Sequence, residues 1–131
     1  MLFSVLLLSS LALPNTVALI QDASESKPKS VTLTIQFDKE KKKVIKEIPF
    51  KEKMTVMDVM VYSKEKKKIT FVHSGKGELA FLKSIDGVKN KGARGDNWIF
   101  RVNGKLGKTS FGIAKLKPGD KVTWTFGKYK P

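Results

Sequence analysis

The chain has no cysteine. No disulfide can brace it, no thiolate can serve as metal ligand or nucleophile, and no cysteine can carry a lipid anchor. Stability must come from a hydrophobic core. Histidine occurs once, at His73. A catalytic dyad needs a nucleophile and an orienting group around such a base, and a metal site needs three or four ligands. Here only Asp and Glu could supply them, and they are scattered singly among lysines. His73 therefore reads as a polar residue at a strand end, with no catalytic and no metal-binding residues assigned and no enzyme expected; a hydrolase centred on His73 is the least favoured class. Acidic residues are scarce overall, 12 Asp and Glu against 26 Lys and Arg, giving a net charge of +14 over 131 residues.

What is present first is an apolar N-terminus. Leu2 to Leu13 is nearly unbroken, Pro14 follows, and no Lys or Arg precedes Lys27. A run of about a dozen residues is too short to span a bilayer, which takes about 20, and fits the apolar region of a secretory signal peptide. Thr16-Val17-Ala18 offers small residues for cleavage after Ala18. The expected organisation is signal peptide 1–18, linker 19–30 and one domain over 31–131, secreted or otherwise extracytoplasmic (periplasm or cell surface), with no membrane span after cleavage. An uncleaved anchor is the other reading of the same run. Residues 1–18 hold no charge, so the processed chain keeps the full +14. That charge favours anionic partners such as acidic polysaccharide, wall polymer, lipid head groups or nucleic acid without sequence specificity; a charge of this kind often means no more than a solvated surface.

From Val31 the pattern becomes that of strands. Val31, Leu33, Ile35 and Phe37 alternate with Thr32, Thr34 and Gln36, and the charged stretch Asp38 to Lys42 leads into Lys43–Phe50, where Val44, Ile48 and Phe50 supply a core face. This predicts a hairpin with a solvated tip. Thr55-Val56-Met57-Asp58 has the form of a capping box, opening a helix whose inner side is predicted to be Val56, Met57, Met60 and Val61. Lys64, Lys66, Lys67 and Lys68 follow, either complementing the helix dipole or forming a binding patch. Ile69 to His73 is a second apolar run; Leu79, Phe81 and Ile85 come next, then the turn signal Asp86-Gly87. A basic loop from Lys89 to Gly95 delivers the chain to the clearest strand, Trp98, Phe100 and Val102 alternating with Ile99 and Arg101, closed by Asn103-Gly104. Val122, Trp124 and Phe126 mark a closing strand after Pro118-Gly119-Asp120. The order is β, β, α, β, β, β. It predicts an α+β fold, a mixed four- to five-stranded sheet crossed by one main helix.

That order resembles the transcobalamin-like C-terminal domain family, a branch of the ubiquitin-like β-grasp fold. The residues that carry the resemblance are Thr55 to Met60, Ser84-Ile85-Asp86-Gly87-Val88, Asn97 to Gly104, Gly112-Ile113-Ala114 and Lys117 to Val122, short segments in one order within a resemblance that runs over roughly Val31 to Phe126. In the cobalamin carriers of the family this domain caps one face of a corrinoid, while a separate helical domain holds the other. Trp98 and Phe100 match the aromatic pair of the carrier strand, and Lys105 to Phe111 match the segment approaching the ligand. No helical domain is present here, and Glu78-Leu79 stands where the carriers have Trp-Gly. A lone cap leaves much of a corrinoid in water, so the resemblance implies modest affinity for cobalamin or a related corrinoid. It also implies the free-standing members' role as surface-exposed adhesive or ligand-binding modules. No cofactor is required.

Two function classes result. The first is a non-enzymatic module for a small amphiphilic ligand or an extracellular partner protein, with Arg94, Asp96, Trp98, Phe100, Lys105, Lys108, Thr109 and Phe111 as its site. The second is an electrostatic binder of anionic polymers through Lys89, Lys91, Arg94, Lys105 and Lys108. Trp98 and Trp124 sit in register with other apolar residues and read as core; Phe111, beside Ser110 and Gly112, reads as the exposed aromatic. Gly75-Lys76-Gly77 and Gly92-Ala93-Arg94-Gly95 could present backbone N–H groups to an anion, yet neither opens a long helix as a nucleotide loop does. Asp86, Asp96 and Asp120 read as turn formers.

Overall fold

The computed structural model describes residues 29–130. The expected signal peptide, its cleavage point and nearly all of the linker lie outside the described residues. Strand β1, Ser30–Gln36, buries Val31, Leu33 and Ile35 on one face and pairs antiparallel with β2, Lys42–Pro49. At the solvated tip the Asp38 carboxylate accepts from the Glu40 and Lys41 amides, each at 2.8 Å. Those amide bonds, Glu40's first, hold the carboxyl below its usual range.

One expected core face is corrected in β2. Val31 lies opposite Ile48 but Leu33 lies opposite Ile45, so an extra residue is accommodated between them, and Glu47 takes φ 58°. A bulge of this kind reverses the side-chain alternation. Ile45 and Ile48 consequently turn toward the core, and Val44 is exposed.

Helix α1, Val56–Glu65, begins with the expected capping box: Thr55 Oγ1 accepts from the Asp58 amide and Asp58 returns a bond to the Thr55 amide. Its next two free amides are also satisfied, Val56 donating to Ala114 O and Met57 to Phe111 O. The buried face is Val56, Val59, Met60 and Ser63, spaced i, i+3, i+4, i+7. Val61, expected inside, is exposed because a step of five residues from Val56 rotates it well off that stripe. Ser63 gives its hydroxyl proton to Val59 O, 2.9 Å, which removes the cost of burying it.

The strands divide into two sheets rather than one. The small sheet joins β3 (Phe71–Ser74), β4 (Phe81–Ile85) and β5 (Val88–Lys89) in that order, with the 3-10 turn Gly77–Leu79 between β3 and β4. Asp86 and Gly87 both have positive φ, 48° and 82°, forming a two-residue turn that folds β4 back on β5. The large sheet adds β6 (Asn97–Val102), β7 (Lys105–Leu106) and β8 (Lys121–Gly127), in the order β2-β1-β8-β6-β7. Strands β1 and β8 run parallel at its centre and β6 is antiparallel to β8. Val122 and Trp124 are buried beside Leu33 and Ile35, and α1 contributes Val56, Val59 and Met60 to the same cluster. Among the described residues no helix is long and apolar enough to cross a membrane.

Candidate functional site: an aromatic cleft between the sheets

Where the two sheets meet, Ala80 and the first two residues of β4, Phe81 and Leu82, face Trp98 to Phe100 of β6, and residues 106–111 close the third side. The resulting cleft has a volume of about 240 Å³ and aromatic walls from Trp98, Phe100, Phe111 and Trp124. Each wall is held in place. The Trp98 indole donates to Val88 O at 2.7 Å, and its ring packs on Phe126 and Phe37 with centroids 5.1 and 5.6 Å away. Phe100 leans on Trp124, 5.1 Å, and Phe111 meets Trp124 edge-on, 5.4 Å at 83°. A side chain at Gly107 would run into the Phe100 ring, so the absence of one there lets the loop lie against it. Ser110 donates to Ala80 O at 2.6 Å and accepts from the Gly112 amide at 3.1 Å, fastening the loop to the small sheet. One polar group of the lining residues is unused: the buried Nε1 of Trp124 has no partner among the described residues.

Asn90 ties the sheets together across this cleft. Its carbonyl oxygen accepts from the Trp98 amide, 2.8 Å, and its amide donates to Leu82 O, 2.7 Å. Asn97 organises the adjoining loop, accepting from the Lys91 and Gly92 amides and donating to Gly92 O and Gly95 O. The Gly92 amide is thus already used and the Gly92–Gly95 turn closes on itself, with Gly95 N–H donating to Gly92 O at 3.0 Å.

Of the eight residues expected at a ligand site, Trp98, Phe100, Thr109 and Phe111 line the cleft. Lys105, Lys108, Thr109 and Phe100 border a neighbouring hollow of about 420 Å³ together with Lys115 and Lys117. Arg94 and Asp96 stand elsewhere. They lie in the loop before β6, while Lys105 follows its far end, a strand of six residues or about 17 Å away. The expected anion set is divided the same way, Lys89, Lys91 and Arg94 toward one end of β6 and Lys105 toward the other. Phe111 is corrected outright. It is 2% exposed, because its carbonyl accepts from the α1 amide of Met57 and its ring fills the space under Trp124. Trp98 and Trp124 are buried, as their register requires. His73 stacks on Phe71 at 5.7 Å with Phe111 edge-on at 6.1 Å. Phe81 and Ser110 also line the cleft, and Asn90 ties its two walls together from outside it. The strand holding Phe81 is apolar in both parities, Leu79 and Phe81 against Ala80 and Leu82, so alternation alone carries no sign for inside and outside.

Asp86 and Asp120 close turns. Asp120 accepts from Asn103 Nδ2 and the Lys117 amide, both at 2.8 Å. Asp86 accepts from the Thr70 amide at 2.7 Å and pairs with Lys43 at 2.6 Å. Partial burial pushes the Asp86 carboxyl up, but the bonds from Lys43 and Thr70 outweigh it and hold the group below its ordinary 3.8. A depressed carboxyl contributes stability above its unfolded-state value and loses it as pH falls through the folded one. Stability should therefore decline as pH drops below about 4, and less so in Asp86→Asn, which suits the same positive-φ turn; parallel acid titrations of the melting temperature check this. Equal acid sensitivity in both proteins would mean that Asp86 is not responsible.

The family model described as "Domain of unknown function (DUF4430)" matches residues 54–128, from just before α1 through β8. No curated protein matches. A crystal structure from Ruminococcus gnavus ATCC 29149, described as "a putative metal binding protein", is similar in fold, with a TM-score of 0.60 at 15% identity, covering 77% of this chain and 99% of that one.

Proposed function

This chain belongs to the DUF4430 family, and we infer that it is a secreted, non-enzymatic binding module on a transcobalamin-like β-grasp domain. The cleft between β4, β6 and residues 106–111 takes its ligand. The single observation that carries this reading is the convergence of Trp98, Phe100, Thr109 and Phe111, four residues expected at a ligand site, on that one aromatic cleft. The sheet order β2-β1-β8-β6-β7, with parallel β1 and β8 in the middle and a single long helix packed on the core, supports the β-grasp assignment.

At about 240 Å³ the cleft is smaller than the ~300–1,000 Å³ of a typical enclosed ligand site. It grips one edge or arm of a corrinoid-like ligand, or a small amphiphile whole. Metal binding is not carried over from the R. gnavus protein, since no group of three His, Asp or Glu side chains gathers among the described residues. Titration with cobalamin and related tetrapyrroles tests the reading. Trp98 and Trp124 should be quenched and the corrinoid spectrum shifted; no quenching and no co-elution would remove the ligand assignment.

A second reading, binding of anionic polymers, is favoured by the hollow that Lys105 and Lys108 share with Lys115 and Lys117. It requires retention on heparin to fall steeply with salt. Retention that persists through moderate salt would count against it.

A further inference from the structure

Four large apolar side chains are more than half exposed among the described residues, and three of them belong to the small sheet and its 3-10 turn: Leu79 at 76%, Phe81 at 59% and Val72 at 55%. Val72 and Phe81 line an open groove of about 480 Å³ with Lys83, Ser84, Lys89 and Asn90. Leu79 stands two residues before Phe81, and their neighbours Ala80 and Leu82 take the buried positions. An apolar cluster that the core leaves out, in a chain without internal need for it, points to something outside the fold.

The charge around the cluster says what that is. Lys76, Lys83 and Lys89 are exposed beside it, and the chain as a whole carries +14. Two copies of this chain would repel at such a face, which argues against self-association. The flank holds three lysines and no arginine, with Glu78 beside Leu79 its one exposed carboxylate. Protein interfaces favour arginine and deplete lysine, because a guanidinium meets fixed carboxylates in a matched fork. Lysine is a point charge on a long flexible stem, suited to a fluid array of phosphates above an apolar layer.

We propose that this face docks the protein on the surface of an anionic bilayer. Leu79, Phe81 and Val72 enter the boundary between head groups and acyl chains, while Lys76, Lys83 and Lys89 meet the phosphates. Apolar insertion and basic attraction together supply the two signals that stable peripheral attachment needs. The docking face and the cleft are separate surfaces that meet at Phe81, the one side chain the two share.

The absence of cysteine makes the test clean. Leu79→Cys carries an environment-sensitive fluorophore in the full chain, and Val44→Cys, on the exposed side of edge strand β2, carries it as the control. Mixed with phosphatidylcholine vesicles containing phosphatidylglycerol, the label at 79 should shift to the blue and the label at 44 should not. Pure phosphatidylcholine should give little response, and Lys83→Glu with Lys89→Glu should abolish the shift. The N-terminal apolar run is common to every variant, so it cannot by itself separate the two positions. Vesicle sedimentation of Val72→Ser with Leu79→Ser should show about tenfold or more weaker partitioning. Neither residue lines the aromatic cleft, so the cobalamin titration is unchanged in that variant, and failure of one proposal is distinguishable from failure of the other. No shift at 79, an equal shift at 44, or undiminished sedimentation of the double variant would overturn the docking face. A response at 79 to soluble polyglutamate but not to vesicles would replace the bilayer with an acidic protein.

Discussion

Phe111→Ala is expected to lower the unfolding free energy by about 3–5 kcal/mol, the range for deleting a buried aromatic side chain. The ring is almost wholly buried, lies edge-on to Trp124 and forms one wall of the cleft. Its removal leaves a void that the surroundings can close only by moving Trp124, which also packs on Phe100. The same variant should therefore lose ligand binding in the cleft. Urea denaturation measures the first effect, and a loss under about 1 kcal/mol would show that residues 106–111 are not part of the core. Phe111→Leu separates the two consequences. It retains most of the buried volume, so stability should largely recover while the aromatic surface offered to a ligand does not.

Asn90→Ala should cost about 2–4 kcal/mol, because two partly buried backbone groups lose their partner together. The Trp98 amide and the Leu82 carbonyl have Asn90 as the bridge between the large and small sheets. Asn90→Asp keeps an acceptor for the Trp98 amide and loses the donor to Leu82, so its cost should be intermediate. Hydrogen exchange gives the sharper measurement. The Trp98 amide should exchange much faster in Asn90→Ala while amides at the β1–β8 centre keep their protection relative to global stability. Unchanged exchange at Trp98 would mean that the sheets are held together without Asn90.

Much of the fold was legible because its signals are local. The alternation in β1, β6 and β8 requires only that one face be apolar, the Thr55–Asp58 box needs four consecutive residues, and Asp86-Gly87 specifies its own turn. The errors have equally specific causes. Val44 faces outward because the bulged residue at Glu47 puts the residues before it out of phase with Ile48. Val61 faces outward because five residues on from Val56 lies off the helix's buried stripe. The small sheet was merged with the large one because nothing local distinguishes two short strands that extend a sheet from two that fold away from it.

The aromatic composition of the candidate site was likewise visible, whereas its shape was not. Trp98 and Phe100 could be placed on one strand face from their spacing alone. That Phe111 is buried while Phe81 is exposed depends on contacts between residues far apart in sequence, namely Ser110 on Ala80 and the Met57 amide on Phe111.

Composition and short-range pattern therefore determined the elements, the dependence on a core without disulfides, and the strong positive charge. Tertiary structure alone decided which apolar side chains are inside, that four aromatics converge on one cleft, and that Arg94 and Lys105 stand apart. The physical reason is that alternation and helical period define faces, but only packing gives a face its direction, and a site is made by faces from different elements meeting.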